Sequence, residues 1–63
     1  MEIGTRVRIK RLYGGGYSGA TGRIIDSLGE DWLRVRFDTP VKLEGYMYLI
    51  AEEIFLLKEL EAI

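Results

Sequence analysis

Trp32-Leu33-Arg34-Val35-Arg36-Phe37 alternates residue by residue, with Leu33, Val35 and Phe37 on one side of an extended chain and Arg34 and Arg36 on the other. A period of two with apolar residues on one side is what a half-buried antiparallel strand requires, and no helical face has that spacing. This stretch decides the fold class, and its flanks read the same way. Asp38-Thr39-Pro40 ends it, because proline has no N–H to give a neighbouring strand and holds the residue before it away from helix. Upstream, Ser27-Leu28-Gly29-Glu30-Asp31 supplies turn chemistry, and Thr21-Gly22-Arg23-Ile24-Ile25-Asp26 reads as another strand. Further back, Thr5 to Lys10 sets Val7 and Ile9 against Arg6, Arg8 and Lys10, again with period two.

Downstream of Pro40, a short irregular segment with Lys42 and Glu44 leads to Gly45-Tyr46-Met47-Tyr48-Leu49-Ile50. Its aromatic and apolar content predicts a fourth strand, with Tyr46, Tyr48 and Ile50 on one face and Met47 and Leu49 on the other. The tail from Ala51 to Ile63 supports two readings. Its Ala, Glu, Leu and Lys favour helix, and Ile54, Leu57 and Leu60 recur at helical spacing. Alternatively, Ala51-Glu52-Glu53 forms one tight helical turn that feeds a last strand, Ile54 to Lys58, leaving residues 59–63 as a frayed or partly helical end. The second reading is preferred, because four short twisted strands leave two edges that a fifth covers. The expectation is therefore an all-β chain of 63 residues, a single domain over 1–63, folded as a small five-stranded antiparallel barrel with a single helical turn before the last strand.

Between the first two strands lies Leu12 to Arg23, which holds five of the eight glycines. Glycine is placed where a chain needs positive φ or a close backbone approach, so this segment is a shaped surface loop. Gly14, Gly16 and Gly19 match the string G-x-G-x-x-G, with Asp38 about 20 residues on. A dinucleotide fold needs the last glycine to open a helix, whereas here a β-branched strand follows, so the match is accidental.

Gly4-Thr5-Arg6-Val7-Arg8-Ile9 followed by Tyr17-Ser18-Gly19-Ala20-Thr21-Gly22-Arg23-Ile24-Ile25 resembles the KOW-type SH3-like barrels, in their opening strand and Gly-x-x-Gly-x-hydrophobic signature. The resemblance implies an SH3-like barrel. It implies no single function, since that architecture hosts ribosomal proteins, transcription-factor modules, peptide binders and accessory subunits. The triplet Gly14-Gly15-Gly16 departs from the usual single glycines of such modules.

The chain has no cysteine and no histidine. That removes disulfides, thiolate metal sites, the commonest general base and the commonest neutral metal ligand together, and it fits a reducing cytoplasmic setting. Ser18 and Ser27 have no base beside them in sequence, and Glu52, Glu53, Glu59 and Glu61 read as solvated surface, so no enzyme activity, cofactor or metal is expected. Apolar runs such as Ile54 to Leu57 are far short of the roughly 20 residues of a membrane span, so no membrane partner is expected.

Two binding functions follow. The first is a non-catalytic module or small accessory subunit that engages a protein partner through an aromatic, Gly-rich loop surface: Tyr13, Tyr17, Tyr46, Tyr48 and Trp32. Core filling is the competing role for each ring, and Tyr13 and Tyr17, flanked by glycines, are the two expected to stand exposed. The alternative is RNA or single-stranded DNA binding through Arg6, Arg8, Lys10, Arg11 and Arg23, with the loop tyrosines stacking on bases. Residues 1–24 carry five bases and one acid, while residues 25–63 carry four bases and nine acids. The net charge of −1 and pI of about 5.3 weigh against a dedicated nucleic-acid binder. Small size and the apolar tail also raise a homo-oligomer as an expectation.

Overall fold

A computed structural model of the chain describes residues 1–11 and 15–63. The strands are β1 (Arg6–Ile9), β2 (Thr21–Ser27), β3 (Trp32–Lys42), β4 (Leu49–Leu56) and β5 (Leu60–Ala62). They form one antiparallel sheet in the order β4-β3-β2-β1-β5. Two single 3₁₀ turns, Gly15–Tyr17 and Leu57–Glu59, complete the regular structure of the described residues.

The alternation sets the inner face. Val7 and Ile9 of β1, Ile24 of β2, Leu33, Val35 and Phe37 of β3, Phe55 of β4 and Leu60 of β5 are all buried in one cluster. A single sheet with no second layer buries one face only by curling on itself. The curl has two visible sources. In β2 the register slips between Ile24 and Asp26, and in the β3–β4 pair it slips between Arg36 and Val41, so that β3 carries surplus residues against β4. Such bulges bend a strand and increase its twist. Gly22 allows β2 and β3 to close up: a Cβ there would lie 2.2 Å from the Arg36 carbonyl oxygen. No side chain larger than hydrogen fits that gap.

The all-β class, the five antiparallel strands and the helical turn before the last strand agree with the sequence reading. The boundaries after Pro40 do not. Gly45 to Ile50 is not a fourth strand: only Leu49 and Ile50 join β4, and Tyr46 to Tyr48 belong to the connection before it. Ala51 to Glu53 are not a helical turn but the middle of β4, which continues to Leu56. The turn lies at Leu57–Glu59, and residues 60–62 are not a frayed end but the closing strand, paired with β1 through Val7↔Ala62 and Ile9↔Leu60.

Candidate functional site

The glycine loop returns to the sheet through backbone bonds as well as through the Tyr17 side chain. Ile9 N–H donates to Ala20 O at 2.9 Å, Gly19 N–H to Ile9 O at 2.9 Å, and Gly19 takes φ of +83°. This brings the 3₁₀ turn Gly15–Tyr17 over the open end of the core. Tyr17 is half-buried there and does not stand free as its glycine neighbours suggest. Its ring stacks on Phe37 at 5.4 Å and meets Phe55 edge-on at 5.4 Å. Its hydroxyl donates to Glu53 Oε2 at 3.0 Å. Burial first, then that hydrogen bond and the charge of Glu53, push the Tyr17 phenol up to about 12. Tyr13 lies outside the described residues.

The connection from β3 to β4 meets the glycine loop. A Cβ on Gly16 would lie 2.5 Å from Leu43 Cδ2, and Tyr46 is near enough to Tyr17 to add to the upward push on its phenol. Lys42 Nζ donates to the Tyr46 carbonyl oxygen and Gly45 takes φ of +83°, which shapes the turn that presents the next residues. Tyr46, Met47, Tyr48 and Leu49 are then 57%, 88%, 77% and 63% exposed, four consecutive large apolar residues held out from the core. Trp32 is also exposed, not core, but it starts β3 opposite Leu56, whereas Tyr46 and Tyr48 precede β4. The eight residues of β4 separate the two ends by about 23 Å at 3.3 Å per residue. The structure therefore brings Tyr17 and Tyr46 together and leaves Trp32 apart. Met47 and Leu49 are the members of the loop surface that sequence reading missed, because apolar residues between two polar turns look like a buried strand.

The basic residues share the outer face of the sheet. Arg6 lies opposite Arg23, and Arg23 opposite Arg36, a row of guanidinium groups across three strands. Like charges in that arrangement repel, and each is answered within the chain. Arg6 pairs with Asp38, whose Oδ2 also accepts from Thr21 Oγ1 at 2.7 Å. Arg8 reaches Glu61 at 3.4 Å, Arg23 donates to Gly4 O at 3.1 Å, and Arg36 grips Glu52 through Nε and Nη2 at 2.9 and 2.6 Å. Lys10 is half-buried and Arg11 exposed beside the loop.

At the far end of the β3–β4 pair, an open cleft of about 400 Å³ is lined by Asp31, Leu56, Leu57 and Lys58. Among the described residues no group of acids is spaced to hold a metal ion, and no helix is long and apolar enough to cross a membrane. Comparison with family models, with curated proteins and with solved structures finds no match to this chain.

Proposed function

We propose that the protein is a non-catalytic binding module that engages a protein partner through the surface formed by the β3–β4 connection and the adjoining glycine loop. The observation that carries this reading is the exposure of four consecutive apolar residues, Tyr46 to Leu49, on a turn pinned by Lys42 and Gly45. Isolated exposed apolar residues are ordinary, whereas a contiguous group rimmed by polar side chains marks an interaction site. Tyrosine and methionine supply contact area at low rotamer cost and adaptable packing, which is why such residues anchor interfaces. The nearby Tyr17 serves as a support whose ring ties the glycine loop to the core.

The row Arg6–Arg23–Arg36 favours the alternative of single-stranded nucleic-acid binding. It ranks second, because Asp38, Glu52 and Glu61 stand among those arginines and would face the phosphates.

A photoreactive side chain at position 47 tests the first reading in the native host. It is expected to crosslink to one discrete protein, and Tyr46→Ser with Tyr48→Ser is expected to abolish the crosslink while changing unfolding free energy by no more than about 0.5 kcal/mol. A pattern identical to that of a control probe at position 30 would refute it. Single-strand binding that weakens steeply with salt would favour the alternative instead.

A further inference from the structure

β4 pairs with β3 alone, and its free edge is closed over only half its length. Ile54 N–H and Leu56 N–H donate to the side chains of Glu53 and Glu59, so both point away from β3. Backbone direction alternates along an antiparallel strand, so Glu52 N–H, two residues before Ile54, points the same way. Among the described residues no side chain closes it as Glu53 closes the Ile54 N–H. Leu49 and Ala51 are exposed, and this open half of the edge runs directly into the Tyr46–Leu49 surface. β4 carries two acids, Glu52 and Glu53, and no base. Arg36 answers Glu52, whereas Glu53 receives a hydroxyl and an N–H but no cation among the described residues.

We infer that the Leu49–Glu52 half of this edge takes up an extended segment of the protein partner as an added strand, with a Lys or Arg of that segment opposite Glu52. The inference rests on the loop surface being the docking site, and it names the form in which the partner arrives. An unpaired edge supplies main-chain hydrogen bonds, and the side chains beside it supply selectivity. A residue facing Glu52 would exchange N–H and C=O bonds with it, and the addition would end at Ile54, whose N–H is already taken. The acids choose the occupant. A second copy paired antiparallel about Glu52 would set Glu52 against itself, and like charges directly opposite destabilise a sheet, whereas a basic residue there is favourable.

Short photoreactive side chains at positions 47, 49 and 51, placed singly in the full chain in the native host, test the proposal. Position 47 reports on the loop surface, and a pattern there matching the control at position 30 defeats that reading and this one with it. With a discrete partner at 47, positions 49 and 51 are expected to crosslink the same partner at residues two apart, because side chains on one face of a strand repeat with that period. Glu52→Pro deletes the outward N–H, a change that an edge strand accepts. It is expected to weaken the crosslink from 47 at least about fivefold relative to Glu52→Ala, which keeps the N–H. Both variants lose the Arg36 pair, so similar melting temperatures separate an effect on the edge from one on the fold. If Glu52→Pro melts far lower, the spacing of the crosslinked residues decides. Strand addition is overturned, with the loop surface left standing, if 47 crosslinks and 51 does not, or if the residues joined to 49 and 51 are not two apart. The same follows if Glu52→Pro folds and crosslinks as Glu52→Ala does, or if position 51 joins a second copy of the chain.

Discussion

Glu53 joins two parts of the molecule with one carboxylate: Oε2 accepts the Tyr17 hydroxyl at 3.0 Å and Oε1 accepts Ile54 N–H at 2.9 Å. Beside two buried phenyl rings, the Tyr17 phenol is held in its protonated form, with its pKa raised from 10.0 to about 12. A folded-state pKa above the unfolded one means that the folded chain holds this proton more tightly. The resulting stabilisation is complete below pH 10 and fades as the pH climbs from 10 to about 12. Tyr17→Phe is expected to cost about 1 kcal/mol at neutral pH and to flatten the loss of stability across that alkaline range. Denaturant unfolding of both proteins at a series of pH values checks it. The position of Tyr17 was hidden in the sequence for a plain reason. Its partners Phe37, Glu53 and Phe55 are distant along the chain, and local glycines speak only of backbone freedom.

At the scale of elements, β4 is an edge strand, and an edge with bare N–H groups invites pairing with another chain. Here two of those donors are closed by acids of the same segment: Glu53 takes Ile54 N–H and Glu59 takes Leu56 N–H, each at 2.9 Å. Glu59→Ala is expected to cost about 1 kcal/mol, as loss of a cap does, and to produce concentration-dependent association visible by sedimentation velocity. Unchanged stability and sedimentation would show that the edge is protected otherwise. The same acids explain why the tail was the least legible part of the sequence. Glu52 and Glu53 look like turn residues when read locally, yet Glu52 is the cross-strand partner of Arg36, and Glu53, opposite Val35, accepts the Tyr17 hydroxyl. β1, β2 and β3 were readable because their apolar and charged residues alternate without interruption. Tyr46 to Tyr48 misled for the opposite reason: they have the composition of a strand but no core to face.

For the whole molecule, five strands share eight buried side chains, so no strand is spare. Even the three residues of β5 supply Leu60 to the cluster and cover the edge of β1. Deletion of residues 60–63 is expected to abolish cooperative unfolding, because Val7 and Ile9 lose their neighbour in a chain of 63 residues with little stability in reserve. A sharp melting transition in the truncated protein would contradict this. The fold class was legible because alternation is a local property that the whole sheet obeys. The exposure of Trp32 was not, because whether a large ring at the end of a strand is covered depends on every strand together.

The slip in register between Arg36 and Val41 divides the longest strand into two workplaces. Its first half gives Leu33, Val35 and Phe37 to the interior, and its second half, with only Val41 still packed on the core, runs on to the turn at Gly45. Met47 and Tyr48, beyond that turn, are 88% and 77% exposed and lend no side chain to the hydrophobic centre. Their chemistry is thus free to be rewritten for a new recognition target, while the masonry beneath stays as it is.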